Sequence, residues 1–355
     1  MSRGDRLAAV VVEEGLDALL VNDPVNLRYV TGFTGTNGLA VVGEGVRRFI
    51  TDFRYVERAE AEVSGFDLVR GERDLLDSVA AGLPDRRPLR LGFDDAHVSV
   101  RAHRRLTDAL SGVELVAAGG LVERLRAVKE PGELERIGAA AALADDALAA
   151  VLARGLVGRT EREVALDLED EMRHRDAEPS FPSIVAAGAH GALPHADPRR
   201  EPIPADTLVI VDWGARIDGY CSDCTRTLAT GEVDDEAEAV YELVLRAQLT
   251  GLEAARAGVR GCDADAAARA IINGAGHGER FGHGLGHGVG LEVHEGPRLS
   301  KTGGEDPLQP GNVVTVEPGV YLPGRFGVRI EDLVVVTADG PEILSSATKD
   351  LVTVD

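Results

Sequence analysis

Hydrophobic and polar positions alternate between two periods along the first third of the chain. Short apolar runs at 18–21 (ALLV), 38–42 (GLAVV), 47–50 and 88–92 have the length of strands. Between them, residues 3–14, 54–63, 72–82 and 100–110 carry apolar positions at the spacing of helices packed on one side. Helix and strand patterns alternating over residues 1 to 118 predict an α/β domain around a central sheet.

The pattern breaks at 119–133 (GGLVERLRAVKEPGE), where two glycines precede a charged stretch and Pro131 suits the first turn of a helix. This joint divides the chain into a first domain, 1–122, and a second, 123–355. An alanine-rich helix is expected over 131–154, stopped by Gly155. Thr160 and Glu163, in TERE, form a capping box that opens a helix to about residue 175. Helices at 234–257 and 263–274 and strands at 207–213, 219–229, 312–317 and 327–337 complete an α+β second domain.

Composition narrows the function classes. The 355 residues include 60 acidic and 38 basic ones, and the net charge of −22 argues against nucleic acid and anionic membrane as partners. No apolar run is long enough to span a bilayer. Glu13, Glu14 and Asp17 interrupt the apolar N-terminal stretch, so no secretory layout is expected, and the protein reads as soluble and cytoplasmic. Cys221 and Cys224 form a CxxC without the second pair a zinc ribbon needs, so they read as small, partly buried residues.

Candidate chemistry is concentrated in the second domain. Residues 282–296, GHGLGHGVGLEVHEG, carry His283, His287 and His294, with glycine at nearly every second place before Leu291. Such glycines let a backbone pass close to something. His283 and His287 are four apart, but Gly284 stands where a zincin motif needs glutamate. Two hairpins supply acids. A turn at Arg216–Gly219 would set Asp212 opposite Asp223, and folding 312–336 about Gly324 sets Glu317 opposite Glu331. Like charges facing across a sheet are destabilising. Four such carboxylates need a cation, and lysine is scarce nearby. Carboxylates with one imidazole suit two divalent ions sharing bridging ligands.

The order Asp212, Asp223 (in GYCSDCTRT), His287, Glu317 (in TVEPGVY) and Glu331 (in VRIED) resembles the "pita-bread" dinuclear metallopeptidases. These are the methionine aminopeptidases, aminopeptidase P and prolidase. NDPVNLRYVTGF and TDFRY in the first domain resemble the creatinase-type N-terminal domain of the proline-specific members. The resemblance implies an N-terminal α/β creatinase-like domain followed by a pita-bread catalytic domain, working as a homodimer. It implies that Asp212 holds one ion, His287 and Glu317 the other, and that Asp223 and Glu331 bridge both. Manganese is expected, with cobalt or zinc as alternatives, and a hydroxide bridging the two ions is the implied nucleophile. Glu317 doubles as general base. The resemblance further implies that His195 (in GALPHA) and His294 contact the scissile carbonyl, that His283 lines the pocket for the proline ring, that Tyr321 lies near the same centre, and that Arg329 orients a carboxylate ligand. His190 and Cys224 stand where the family often has other residues, and His190 is expected near the substrate entrance.

The implied substrates are small peptides with proline in second place. Arg298, four residues after His294, reads either as a surface-loop arginine or, as in the prolidases this segment resembles, as the cation that holds the terminal carboxylate of a dipeptide. The latter favours an Xaa-Pro dipeptidase, with aminopeptidase P acting on longer peptides as the alternative. A non-catalytic binding member of the family is disfavoured because all five ligand residues are present.

Overall fold

The computed structural model describes residues 1–84 and 88–355. The chain divides into two compact units, Met1–Arg126 and Ala127–Asp355.

In the first unit the elements follow as α1 (Arg3–Glu13), β1 (Ala18–Val21), α2 (Pro24–Thr31), β2 (Gly38–Gly43), β3 (Val46–Thr51), α3 (Val56–Glu62), β4 (Asp67–Arg70), α4 (Val79–Gly82), β5 (Leu89–Phe93), α5 (Val100–Ala109), β6 (Val113–Ala117) and α6 (Leu121–Ala127). Among the described residues they build one six-stranded sheet, ordered β4-β3-β2-β1-β5-β6. Leu20, Val41, Ile50 and Leu91 are fully buried in its core. Helix α2 was not expected from periodicity, because eight residues carry too short a stripe. Its ends are nevertheless written locally: Asp23 caps the Asn26 amide, Pro24 opens the first turn, and Gly32 closes it at φ +83°. The helix expected over 72–82 is instead a 3₁₀ turn, Leu75–Ser78, followed by the single turn α4.

The second unit continues with α7 (Pro131–Leu152), α8 (Glu161–Arg173), β7 (Glu178–Pro179), β8 (Ile184–Ala187), β9 (Leu208–Trp213), β10 (Ala215–Ile217), β11 (Tyr220–Cys221), β12 (Cys224–Ala229), α9 (Asp235–Ala254) and α10 (Gly261–Gly274). Then follow β13 (Gly286–Gly288), β14 (Glu295–Leu299), β15 (Val313–Val316), β16 (Gly319–Leu322), β17 (Phe326–Arg329), β18 (Asp332–Val336) and β19 (Pro341–Ile343). Pro131 stands at the start of α7, and the Thr160–Glu163 capping box opens α8 as expected. Strand β9 shows how the site is placed. Its alternate residues Val209, Val211 and Trp213 pack against α7 and α8. The two-residue period then turns Asp212 to the opposite face.

The hairpin carrying Asp212 and Asp223 has a different register from the expected one. Asp212 pairs with Thr225, and further along Arg216 pairs with Cys221 and Ile217 with Tyr220. The turn is the two-residue Asp218–Gly219, both at positive φ (48° and 83°), the conformation Asp-Gly favours between twisted strands. Its centre lies one residue later than expected, so Asp223 is diagonal to Asp212 rather than opposite. An offset of two keeps both acids on one face. The other hairpin has the expected register: Val316 pairs with Asp332 and Gly319 with Arg329, which brackets Glu317 against Glu331 about Gly324.

The glycines of 284–288 serve the sheet. A Cβ at Gly286 would strike the Thr315 carbonyl, and one at Gly288 the Gly296 carbonyl. Their close approach is to neighbouring strands.

Candidate metal centre

Strands β9, β13, β16 and β17, with the residues that adjoin β12, β15 and β18, bring their functional side chains to one cavity of about 400 Å³. Asp212, Asp223, His287, Glu317 and Glu331 all line it. Asp223 and Glu331 are only 5% and 2% exposed, so they are largely withdrawn from bulk water. Ligand atoms of Asp223, His287 and Glu331 lie within 4.8 Å of one another. His287 Nε2 lies 3.3 Å from Glu317 Oε1 and 3.7 Å from Asp223 Oδ2. Its Nδ1 faces the Gly288 carbonyl at 3.1 Å. A carbonyl can only accept, so Nδ1 carries the proton and Nε2 is the atom turned to the acids.

The acids are electrostatically frustrated among themselves. Burial, then the charges of Glu331 and Asp212, push Asp223 well above the usual carboxylate range. Burial, then Glu317 and Asp212, do the same to Glu331. Burial also raises Asp212, against the pull of Arg329. Glu317 goes the other way: burial would raise it, but the hydrogen bond and charge of His287 outweigh that. Asp212 Oδ1 is buried without a hydrogen-bond partner among the described residues. A bare buried carboxylate oxygen beside three further acids and an imidazole nitrogen fits a divalent cation.

Around the acids lies an orienting layer. Arg329 Nη2 lies 2.6 Å from Asp212 Oδ2, its Nη1 donates to the Tyr321 hydroxyl at 3.0 Å, and its Nε to Thr225 Oγ1 at 3.0 Å. Thr225 Oγ1 in turn donates to Glu331 Oε2 at 2.6 Å. His195, His283, His294 and Tyr321 line the same cavity. His283 has both ring nitrogens engaged, Nδ1 with the Gly284 carbonyl and Nε2 with the Tyr321 hydroxyl. The rings of His287 and His294 are 4.3 Å apart. Burial, then the charge of His287, lower the pKa of His294.

Arg298 is not brought into the cavity wall. It is exposed and stands opposite His287 in the β13–β14 ladder, and its charge reaches His294. His190 does not line the cavity either; its side chain is turned to Glu161. Sequence reasoning missed Thr225, which a period of two from Asp223 places on the same face. It also missed Phe181, Ile184 and Pro194, which give the cavity an apolar wall. Cys221 and Cys224 are buried free thiols. A second acid–imidazole group, Asp94, His97 and Glu123 in the first unit, is satisfied internally: His97 Nδ1 meets Asp94, and Asn26 donates to both acids. Among the described residues no helix is long and apolar enough to cross a membrane.

Comparison with known proteins gives two family matches: "Metallopeptidase family M24" over residues 135–338 and "Creatinase/Prolidase N-terminal domain" over 3–128. The chain is 34% identical to the Xaa-Pro dipeptidase of Pyrococcus furiosus, covering 98% of this chain and 99% of that one. It superposes on the Xaa-Pro dipeptidase from Bacillus anthracis with a TM-score of 0.94, at 39% identity over 99% of both chains. The X-Pro aminopeptidase from Thermotoga maritima matches with a TM-score of 0.90, at 36% identity over 100% of both.

Proposed function

Because the chain belongs to metallopeptidase family M24 and carries a creatinase/prolidase N-terminal domain, we propose that it hydrolyses Xaa-Pro peptide bonds as an Xaa-Pro dipeptidase. The observation that carries this reading is the set of four acids and His287 around one cavity, with a buried oxygen of Asp212 left bare. Asp212 would hold one divalent ion, His287 and Glu317 a second, and Asp223 and Glu331 both. Bound there, the ions would polarise the scissile carbonyl and acidify water. Oxygen donors with one imidazole suit manganese, and also cobalt or zinc. The working form is read as a homodimer on the family likeness alone.

The chain's own groups supply the rest. Glu317, held ionised beside His287, accepts a proton from the attacking water and passes it to the proline nitrogen. His294, kept neutral at neutral pH, and His195 donate hydrogen bonds to the carbonyl oxygen as charge develops. His283, with both nitrogens occupied, offers its ring rather than a proton, which suits packing against proline. Phe181 and Ile184 offer an apolar wall for the substrate.

On this reading Arg298 separates the two proline-specific activities. Its place opposite His287 supports a role in holding a dipeptide's terminal carboxylate. The likeness to the Thermotoga maritima aminopeptidase favours the second reading, aminopeptidase P. Ala-Pro and Ala-Pro-Ala, each with Mn²⁺ or with chelator, separate them. Metal-dependent cleavage of Ala-Pro in strong preference to Ala-Pro-Ala is the expected result. Preferential release of alanine from Ala-Pro-Ala means an aminopeptidase, and cleavage of neither peptide overturns the reading.

A further inference from the structure

We propose that Glu161 is the positioning residue for His195, a role that rests on the reading of His195 as a contact to the substrate carbonyl. Glu161 is the first residue of α8 and is 1% exposed. An acid there could simply sit by its own helix end. Instead both its oxygens are spent on a distant segment. Oε1 accepts from the Ala187 amide (2.9 Å) and Arg199 Nη2 (2.9 Å). Oε2 meets His190 Nδ1 (2.8 Å) and accepts from the Arg199 amide (2.9 Å) and Nε (3.1 Å). All five partners lie in 187–199, at its two ends and at His190 between them.

His195 lies inside that segment. Its side chain lines the cavity, yet it is exposed, and among the described residues its ring makes no hydrogen bond. No hydrogen bond to the ring helps to set its place, so the position of its backbone matters most. Toward the cavity that backbone is held by Arg329 Nη1, which donates to the Pro194 carbonyl at 3.2 Å. On the other side Glu161 ties the segment's ends to one point, which removes the freedom a loop of this length would have. The carboxylate suits the task. Burial would raise its pKa, but the hydrogen bonds of Arg199 and the Ala187 amide hold it below the ordinary range, so it stays ionised and takes all five bonds.

Glu161→Gln keeps the volume but turns an NH₂ toward groups that themselves donate. Ala-Pro turnover with Mn²⁺, bound metal, and amide hydrogen exchange are compared for the parent, Glu161→Gln, His195→Ala and the double variant. The expected result is a kcat about tenfold lower or more for Glu161→Gln, because small misplacements of a reacting group are costly. KM and metal content stay near parental, exchange quickens within 187–199, and Glu161→Gln adds nothing in the His195→Ala background. An unchanged kcat, or fully additive losses, overturns the proposal. If Glu161→Gln does not fold, Arg199→Gln removes the two side-chain bonds at an exposed position. Its smaller kcat loss must likewise vanish in the His195→Ala background, and additivity again overturns the proposal. If the parent cleaves no Xaa-Pro peptide, the functional reading has failed on its own. Exchange then decides: quickening confined to 187–199 supports the tether, and unchanged exchange overturns it.

Discussion

Arg329 holds Asp212 by one oxygen and leaves the other bare: Nη2 meets Oδ2 at 2.6 Å, while Oδ1 has no hydrogen-bond partner among the described residues. The same guanidinium reaches Glu331 through Thr225, so one arginine orients acids on two hairpins. Arg329→Lys keeps the charge and loses the fork. The expected outcome is Mn²⁺ binding weaker by about 10- to 100-fold, read by calorimetry. Parental affinity would mean that the acids hold their orientation without it.

Asp223 and Glu331 are the acids assigned to both ions. Asp223→Asn and Glu331→Gln should each lose both bound ions and all activity. With chelator present, neither variant should melt below the metal-free parent, because each removes a member of a crowded set of buried acids. Elemental analysis and thermal melts check the pair. Two ions retained in either variant would refute the bridging assignment.

Proton competition should be visible in stability. In the metal-free protein Asp223 and Glu331 titrate well above the ordinary carboxylate range, burial being the first cause. Groups raised in this way favour the folded state below about pH 4, where both folded and unfolded chains hold the proton. That contribution is lost as pH rises through the raised folded values. Ion binding needs both groups deprotonated, so Mn²⁺ affinity rises with pH. Melting midpoints with Mn²⁺ and with chelator should therefore diverge as pH is raised from about 5 to about 8. A constant gap would show that neither carboxyl titrates on binding.

His294 makes its contribution after the ions are in place. His294→Ala should keep full metal content and lose on the order of 10²-fold in kcat, the magnitude of a lost transition-state hydrogen bond. Steady-state kinetics on Ala-Pro with parallel metal analysis reads this, and a near-parental kcat removes the role.

Arg298→Ala should raise KM for Ala-Pro and leave Ala-Pro-Ala unaffected, because only the dipeptide places its carboxylate beside the cleaved bond. Equal changes for both peptides would mean that Arg298 does not read the carboxylate.

Much of this site could be read in the sequence because hairpins are local. Gly324 centres the Glu317–Glu331 hairpin, and the register follows from it. The Asp212–Asp223 register was missed by the turn's position, yet the face survived because the resulting offset is two. Arg298 was harder. The ladder shifts register between His287 and Gly288, so counting along the strand from His294 does not place it. Strands β4 and β6 were not expected, since both are sheet edges with no buried residue and no long apolar run. Glu161 was hidden inside a local capping signal, and its partners lie 26 to 38 positions away. Tertiary pairing of that kind leaves no periodicity to read.

The most direct measurement titrates chelated protein with Mn²⁺ while following ions bound per chain and Ala-Pro hydrolysis in the same samples. The expected result is no activity in the metal-free protein and a rise that saturates when two ions are bound. Full turnover without ions, or saturation at a single ion, would contradict a centre in which Asp223 and Glu331 are shared between two.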